Sequence, residues 1–249
     1  MSRKLAVVIM AAGKGTRMKN PDKAKVMFEI NGRPMVEHVV DLAMKLHADR
    51  IVVIVGWQKD SVIGFLARTG KPVICVEQNP QLGTGHAVMQ AAAPLKGFAG
   101  DVLVLSGDVP LLKFETLSRL IAHHVSSGAS ATLLTAVVQD PTGYGRILRG
   151  QAGEVLGIVE QKDATNSQRA INEINSGIYV FDAGQLFDAL AHITPSNAQN
   201  EYYLTDVFGH FWSHTLRVSA LPAKDPREIQ GINTLEQLEE ARAAIGASY

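Results

Sequence analysis

The sequence predicts an α/β fold in which helices flank a mostly parallel central sheet, with a smaller mixed lobe beside it. Its 249 residues are 46% hydrophobic and 19% charged, which suits one large or two modest globular units. Up to about residue 140, continuous apolar runs alternate with segments of helical period, as expected for β-α repetition. Shorter strand-like pieces between polar stretches follow and indicate the mixed lobe.

The first run, residues 5–10, is apolar throughout and ends at Ala-Ala-Gly. Such a run is typical of a parallel strand that is buried on both faces, because a half-exposed strand would alternate. The same reasoning predicts a buried strand at 73–76, in which Cys75 is a packing residue. Further strands are predicted at 51–55, 102–105 and 131–138, with helices at 34–46, 60–67, 86–92 and 114–124.

The second half has a different rhythm, with short strands separated by Gly, Asn, Asp and Ser. A charged amphipathic segment at 234–244 predicts a last helix. The remaining predicted strands are 145–149, 155–160, 171–181 and 215–219, and the remaining helices are 183–191 and 203–214.

Charge and composition exclude several classes of protein. Lys plus Arg and Asp plus Glu both number 24, so no net charge favours nucleic acid or an anionic membrane. No apolar run approaches the roughly 18 residues that span a bilayer, and no signal-peptide pattern precedes the first strand. The single cysteine cannot form an internal disulfide, which favours a reducing compartment. We therefore expect a cytoplasmic protein without a nucleic-acid or membrane partner.

Ligands of open α/β sheets bind beyond the carboxyl ends of the strands. After the first strand, residues 11–17 combine small residues with Lys14 and Arg17, which suits a cradle for phosphate. Residues 1–33 carry eight Lys or Arg against two acidic residues, which supports an anionic ligand. A solvated, charged turn is the alternative. The loop matches neither the dinucleotide fingerprint nor the P-loop.

Asp108 lies just after the predicted strand at 102–105. Burial of a carboxylate at the end of a strand costs free energy unless the carboxylate is hydrogen-bonded or binds a cation. It could bind Mg²⁺, or it could cap the helix that starts near Lys113. The two interpretations remain open at this point.

The loop at 78–86, Gln-Asn-Pro-Gln-Leu-Gly-Thr-Gly-His, places amide side chains and bare backbone after the third strand. Such groups can read the edge of a base, although ordinary loop chemistry would select the same residues. His86 is interpreted as a cap or packing residue, and His123 and His124 are assigned no role because no third ligand lies at metal spacing.

Glu160 and Asn175 lie at strand edges of the predicted smaller lobe, where they could bind sugar hydroxyls or could be turn or surface groups. No arrangement of Ser, His and Asp or of Cys and His offers a nucleophile.

Seven blocks, in order, carry a resemblance to a known family. The chain resembles the sugar-1-phosphate nucleotidyltransferases, most closely the N-terminal uridylyltransferase domain of the bifunctional N-acetylglucosamine-1-phosphate uridyltransferase/acetyltransferases. The blocks are AAGKGTRM (11–18), QLGTGHA (81–87), GDVP (107–110), YGRI (144–147), VEQKDA (159–164), EINSGIY (173–179) and NAQNEYYLTD (197–206).

The resemblance implies a Rossmann-like, GT-A-like fold and a Mg²⁺-dependent transfer of UMP from UTP to N-acetylglucosamine 1-phosphate. It also implies the role of each site residue. The expected roles are uracil and ribose binding by Ala11, Ala12, Gly13, Gln78, Gly83 and Thr84, phosphate binding and catalysis by Arg17 and Lys25, Mg²⁺ ligation by Asp108 and Asn233, and sugar binding by Gly145, Glu160 and Asn175.

The chain departs from the family pattern at two places. The usual Leu-Pro-Lys reads Lys-Ala-Lys at 23–25, so Lys23 is an alternative to Lys25. The hexapeptide repeats of the bifunctional proteins are missing, so we expect a nucleotidyltransferase domain at 1–232, a C-terminal helix segment at 233–249 and no acetyltransferase activity. The oligomeric state is left open. The rival functions are a uridylyltransferase for glucose or N-acetylgalactosamine 1-phosphate and a non-catalytic sugar-nucleotide sensor.

Overall fold

The computed structural model describes residues 3–246, and within them a nine-stranded sheet lies between two layers of helices. The strands are β1 (Leu5–Ala11), β2 (Glu29–Ile30), β3 (Arg33–Pro34), β4 (Arg50–Val55), β5 (Ile74–Glu77), β6 (Asp101–Ser106), β7 (Ala131–Val137), β8 (Gly145–Arg149), β9 (Val155–Val159), β10 (Glu173–Asp182) and β11 (Val218–Pro222). The helices are α1 (Met35–Lys45), α2 (Lys59–Thr69), α3 (Thr84–Met89), α4 (Phe114–Ser127), α5 (Asn166–Arg169), α6 (Ala183–Leu190), α7 (Val207–Ser213) and α8 (Leu235–Gly246).

The strand order explains where a site can form. The main path is β11-β7-β10-β6-β1-β4-β5, and the β8–β9 hairpin joins it through β10. Strands β1, β4, β5 and β6 are parallel, whereas β10 is antiparallel to both β6 and β7. The carboxyl ends of the parallel strands and the beginning of β10 therefore share one edge of the sheet.

Strand β1 lies at the centre of the sheet, and its residues alternate between the two helical layers. Val7 and Ile9 pack with α1, α2 and α4, whereas Ala6 and Val8 pack with α3, α6 and α7. All four side chains are completely buried. Burial on both faces explains why the predicted strand is apolar without alternation.

Strand β10 bends at a bulge between Asn175 and Tyr179, where its register with β7 shifts. Gly177 within the bulge has φ of 77°, a conformation that glycine adopts at little cost. The segment before the bulge pairs with β8 as well as β7. The bulge therefore joins the small lobe to the central sheet.

Helix α8 returns to the first half of the chain and covers a third apolar cluster. Leu238 and Ala241 of α8 pack with Met18, Ile30 and Met35. This packing fixes the segment just before α8, which includes Asn233. Residues 247–249 of the expected C-terminal segment lie outside the described residues.

Several predicted elements differ from the observed ones. The run around Cys75 is an edge strand, β5, in which Ile74 is 44% exposed and Cys75 is only partly buried. The prediction of a strand buried on both faces was wrong because β5 has a neighbour on one side only. Burial still raises the pKa of the Cys75 thiol, as expected for a packing residue.

The other differences concern short or displaced elements. The predicted helix at 203–214 is a 3-10 turn, Leu204–Asp206, followed by α7. Strand β11 begins three residues later than predicted. Thr215, where the strand was predicted to begin, has a positive φ of 56° and lies in the turn that follows α7. The β2–β3 hairpin and α5 are too short for periodicity to detect. Among the described residues, no helix has the length and apolar character needed to cross a bilayer.

Candidate functional site

Two adjoining cavities lie at the edge of the sheet where the parallel strands end. The larger has a volume of about 630 Å³ and the smaller about 200 Å³, and Met10 and Thr84 line both. The larger cavity is lined by the loop after β1, the loop after β5 and the ends of β1 and β6. The smaller cavity is lined by β8, the beginning of β10 and the Leu204–Asp206 turn.

The loop after β1 supplies backbone to the wall of the larger cavity. Ala11, Ala12 and Gly13 line it, and the carbonyl of Ala12 accepts hydrogen bonds from Gln81 Nε2 (2.7 Å) and the Trp57 amide (3.1 Å). No atom lies within 4 Å of the Cβ position of Gly13, so its backbone is open to a ligand.

Gly15 allows a close approach between this loop and Lys25. Its φ is 61°, and a Cβ atom there would lie 2.6 Å from Lys25 Cβ. Lys14 points toward the Trp57 ring, with its Nζ atom 5.3 Å from the ring centroid. The small residue at Gly15 thus lets Lys25 pack against the loop after β1 and line the larger cavity together with Lys14.

Two cations and two oxygen donors meet at the mouth of the larger cavity. We call Arg17, Lys25, Asp108 and Asn233 the cation–oxygen cluster. Lys25 Nζ is hydrogen-bonded to Asp108 Oδ2 and lies 3.0 Å from Asn233 Oδ1, which also accepts a bond of 2.9 Å from Arg17. Residues that are up to 216 positions apart in the chain are brought together here.

The oxygen donors of this cluster suit a divalent cation. The carboxylate of Asp108 and the amide oxygen of Asn233 converge on one positive charge, the Lys25 ammonium, and such hard oxygen donors are the ligands that Mg²⁺ prefers. Asp108 is 8% exposed, and the Lys25 ammonium compensates its charge in this structure. The donor set therefore fits Mg²⁺.

Asp108 does not cap the following helix. Helix α4 begins at Phe114, the residue before it is Lys113, and no side chain caps its first turn. Ser106 Oγ donates to Asp108 Oδ1 at 2.6 Å, so the carboxylate is held at the site by its own strand.

Lys23 and Lys25 occupy different surroundings. Lys23 Nζ lies 5.1 Å from the centroid of the Phe28 ring, outside the cluster. Lys25 lines the larger cavity and contacts both oxygen donors. The geometry favours Lys25 as the cation that faces a ligand.

The loop after β5 is held in shape by its own polar groups. Gln78 is 5% exposed, and its Nε2 atom donates to the carbonyl of Gly83 at 2.8 Å. Thr84 Oγ1 accepts a bond of 3.0 Å from the amide of Leu204. Ring nitrogens of His86 lie 3.2 Å from the amides of Gln78 and Gln90. His86 thus lies within a network of amides, in agreement with the packing role that was predicted.

Gly145, Glu160 and Asn175 come together in the smaller cavity. Asn175 is buried and donates from Nδ2 to the Tyr179 hydroxyl at 2.7 Å, and Thr205 donates to Glu160 Oε1 at 3.2 Å. A Cβ atom on Gly145 would lie 3.3 Å from Glu160 Oε2. The absence of a side chain at Gly145 therefore leaves access to that carboxylate.

Burial raises the pKa of Glu160, and the nearby carboxylates of Asp163 and Asp206 raise it further, while the bond from Thr205 opposes the shift. Among the described residues, Glu160 forms no ion pair. The smaller cavity thus presents acceptor oxygens without a Lys or Arg in its lining, whereas Lys14 and Lys25 line the larger one together with Asp108 and Glu201.

A buried guanidinium supports the wall of the smaller cavity. Arg146 is 1% exposed, and it donates to the Tyr144 carbonyl, to Gln161 Oε1 (2.7 Å) and to the Arg169 carbonyl (3.3 Å). Burial lowers the pKa of Arg146. Tyr144 and Gly145 are therefore fixed by backbone and amide contacts.

Several residues that shape the site were not predicted from the sequence. Gln237 Oε1 accepts from the amide of Asn233 at 2.7 Å. Thr205 lay within a block that carried the resemblance, and that block was the signal for it. Tyr179 likewise ends the block at 173–179, whereas Ser106 and Gln237 act through neighbours in space and lie in none of the seven blocks. His123 and His124 lie away from both cavities, and His124 bonds Thr132 at 2.9 Å.

Comparisons with known proteins agree with this architecture. A protein named bifunctional protein GlmU from Geobacter metallireducens is 48% identical over 237 residues, which are 95% of this chain and 49% of that protein. A protein of the same name from Brevibacillus brevis is 49% identical over 240 residues, 96% of this chain and 51% of that protein. The chain spans about half the length of the curated relatives it matches.

Two solved structures share the fold at lower identity. A glucose-1-phosphate thymidylyltransferase from Bacillus anthracis aligns with a TM-score of 0.76 and 19% identity, covering 96% of this chain and 94% of that one. A UDP-glucose pyrophosphorylase complexed with UDP-glucose aligns with a TM-score of 0.75 and 18% identity, covering 99% and 100%. These neighbours confirm the predicted mixed α/β fold of the GT-A-like type.

The family model described as "Nucleotidyl transferase" matches residues 6–226, which include both cavities and most of the cation–oxygen cluster. The chain belongs to the nucleotidyl transferase family.

Proposed function

We propose that this chain transfers UMP from UTP to N-acetyl-α-D-glucosamine 1-phosphate, which gives UDP-N-acetylglucosamine and pyrophosphate. The observation that carries the proposal is the pair of adjoining cavities, one lined by Lys14, Lys25 and Asp108 beside the cation–oxygen cluster and one lined by the acceptor oxygens of Glu160 and Asn175. A nucleoside triphosphate and a sugar phosphate need two such compartments that open onto each other. Identity near 48% to proteins named bifunctional GlmU supports the same substrates.

In this proposal the larger cavity binds UTP. The backbone of Ala11 to Gly13 and the loop with Gln78, Gly83 and Thr84 receive uracil and ribose, because they offer open amides beside a rigid wall. Arg17 and Lys25 face the phosphates. Their charges attract a polyanion in a chain whose net charge is zero.

The smaller cavity receives the sugar. Glu160 and Asn175 offer oxygen and amide partners for hydroxyl and acetamido groups, and Gly145 leaves the space that a ring needs. The shared lining residues Met10 and Thr84 mark the boundary at which the sugar phosphate would meet the α-phosphate of UTP.

The reaction needs no protein nucleophile, because a phosphate oxygen of the sugar attacks the α-phosphorus and pyrophosphate leaves. The protein must hold two polyanions in line against their repulsion. Lys25 and Arg17 neutralise the charge that builds on the α-phosphate and the leaving group. Asp108 and Asn233 would hold Mg²⁺, which supplies further charge neutralisation when bound.

Pyrophosphate release from UTP tests the proposal. We would compare N-acetylglucosamine 1-phosphate, N-acetylgalactosamine 1-phosphate and glucose 1-phosphate, each with Mg²⁺ and with EDTA. We expect Mg²⁺-dependent release of pyrophosphate that is fastest with N-acetylglucosamine 1-phosphate. Faster release with another sugar would retain the mechanism and overturn the substrate. UTP binding without release for any sugar would overturn catalysis in favour of a sensor.

A further inference from the structure

Three histidines and an aspartate form a second polar cluster on the helices α6 and α7. We call Asp188, His192, His210 and His214 the helix-pair cluster; none of them lines either cavity described above. Asp188 lies in the last turn of α6 and His192 follows four residues later. His210 lies in α7 and His214 directly follows that helix, again four residues on. Residues with this spacing on a helix lie on the same face.

The two helices bring these side chains into contact. His210 Nε2 lies 3.1 Å from Asp188 Oδ2. The ring of His210 stacks on those of His192 and His214, with centroid distances of 4.9 and 4.0 Å. One potential ligand atom from each of Asp188, His192 and His210 lies within 4.8 Å of the other two.

The outer contacts of the rings are those of metal-binding histidines. His192 Nδ1 lies 2.8 Å from the carbonyl of Asp188, and His214 Nδ1 lies 2.9 Å from the carbonyl of His210. A carbonyl oxygen only accepts, so both Nδ1 atoms carry the proton and both Nε2 atoms keep a lone pair. Backbone carbonyls commonly fix ligating imidazoles in this manner.

From this arrangement we infer that the helix-pair cluster binds a divalent transition-metal ion, Zn²⁺ being the cation that best suits imidazole with one carboxylate. His192 Nε2, His210 Nε2 and an oxygen of Asp188 are the three ligands, and water completes the coordination. The ion takes the place of the proton on His210 Nε2, and this proton moves to Nδ1 of the same ring, so the imidazole stays neutral and binds through Nε2. The bound ion joins α6 to α7.

The site needs only a small adjustment to close on an ion. Zinc bonds of about 2.0–2.2 Å would bring the ligand atoms to separations of about 3.4 Å, so no pair of them has to approach by more than about 1.4 Å from the present limit of 4.8 Å. Asp188 and His192 are exposed, so their side chains can move this far. His210 is 10% exposed and supplies the fixed ligand.

Calorimetric titration of the EDTA-treated chain with Zn²⁺ tests the inference. Excess Mg²⁺ is present, so that the oxygen donors of Asp108 and Asn233 do not contribute. We expect one Zn²⁺ per chain with a micromolar or lower Kd, and visible absorption typical of four-coordinate Co²⁺ when cobalt replaces zinc. At a Zn²⁺ concentration about 100-fold above Kd, Tm should rise by roughly 5–10 °C.

Three variants locate the ion. His192→Asn and His210→Gln should each weaken Zn²⁺ binding at least tenfold, whereas His47→Asn, which removes an exposed histidine elsewhere, should leave it unchanged. His192 is exposed, so His192→Asn remains decisive even if His210→Gln fails to fold. Binding only in the millimolar range, or equal affinity in His192→Asn and the wild type, would overturn the inference.

Discussion

At the scale of single residues, the cation–oxygen cluster brings two cations and two oxygen donors from distant parts of the chain into contact. Asp108 bonds Lys25 and Ser106, and both of its carboxylate oxygens are therefore oriented. Asn233 receives bonds from two cations at once. Each of these side chains has a fixed direction before any ligand arrives, which is the preorganisation that charge stabilisation requires.

Replacing Asp108 tests the role of this cluster. Asp108→Ala should lower pyrophosphate release by at least 100-fold, because the variant loses the charged oxygen donor for Mg²⁺. The fold should persist, since the side chain belongs to no apolar cluster. Steady-state kinetics and circular dichroism provide the measurement, with Asp60→Ala at the exposed start of α2 as the control. Mg²⁺-dependent turnover close to that of the wild type would contradict the assignment.

The Glu160 carboxyl group should make the stability of the folded chain depend on pH. Its pKa is raised in the folded chain by burial and by neighbouring carboxylates, so its contribution to stability is present below the ordinary glutamate pKa and is lost as pH rises through the raised value. Glutamine carries no charge, so Glu160→Gln removes this loss of stability. It also keeps a side-chain oxygen that can accept the hydrogen bond from Thr205. Tm at pH 7.5 should therefore rise by roughly 2–4 °C, the shift produced by about 1 kcal/mol in a chain of this size.

Thermal unfolding of Glu160→Gln and the wild type at pH 4 and pH 7.5 checks this expectation. The gain should disappear at pH 4, where both proteins are neutral at this position. A gain of equal size at both pH values would show that charge is not its cause. The same variant should raise KM for the sugar phosphate more than KM for UTP.

At the scale of elements, short loops rather than helices or strands set the shape of the larger cavity. Gly83 has φ of 111° and ψ of 177°, a region that is essentially restricted to glycine. A Cβ atom there would lie 2.6 Å from the carbonyl oxygen of Tyr202. The amide of Tyr202 in turn donates to the carbonyl of Leu82 at 2.8 Å. The loop after β5 and the segment before α7 thus depend on each other.

Gly83→Ala should disturb both segments. Backbone strain of about 1–3 kcal/mol adds to a clash with backbone that cannot rotate away, so stability should fall and KM for UTP should rise. Urea denaturation and kinetics measure the two effects. The control is Gly32→Ala, where φ is also positive (73°) but nothing lies within 4 Å of the Cβ position. Equal losses in the two variants would mean that the contact with Tyr202 is unimportant.

Helix α8 positions one site residue from the far end of the described chain. Leu238 is 1% exposed among Met18, Ile30 and Met35, and Asn233 lies one short segment before it. Leu238→Ala should lower the free energy of unfolding by about 2–4 kcal/mol through the cavity it leaves. It should also weaken Mg²⁺ binding, because the segment that holds Asn233 is no longer packed in place.

The matched control for Leu238→Ala is Leu235→Ala on the same helix. Leu235 is 43% exposed, so its truncation should change the free energy of unfolding by no more than about 0.5 kcal/mol. Urea unfolding curves of the two variants give the comparison directly. A loss confined to activity, without loss of stability, would contradict the packing argument.

At the scale of the whole molecule, the site draws on both ends of the chain. Its residues run from Ala11 to Asn233, and the sheet brings them to one edge. A ligand that bridges these segments should therefore stabilise the entire fold. UTP with Mg²⁺ at about 100 times Kd should add about 2.7 kcal/mol, which raises Tm by roughly 5–10 °C.

Thermal unfolding with and without UTP and Mg²⁺ measures this coupling. A single transition should move upward as a unit, and Arg17→Ala should reduce the rise in Tm because it removes one of the proposed phosphate contacts. A Tm that does not respond to UTP at millimolar concentration would contradict the proposed nucleotide site.

Local patterns determined a large part of this architecture. Apolar runs without alternation gave the central strands, because a strand that is buried on both faces has no polar positions. Small residues after β1, amides after β5 and a carboxylate after β6 indicated the edge at which ligands bind, since parallel strands end together. Seven motifs in order were enough to indicate the family, which the comparisons confirm.

Only the tertiary structure decided which of these residues meet. Contacts with Asp108 and Asn233 distinguish Lys25 from Lys23 as the lysine of the site. The position of β5 at the edge of the sheet follows from the strand order and not from its composition. The spacing of four residues within each half of the helix-pair cluster is visible in the sequence, but the contact between Asp188 and His210 on different helices is not. The physical reason is the same in each case: local sequence sets conformation and burial, whereas contacts between distant segments depend on how the whole sheet and its helices pack.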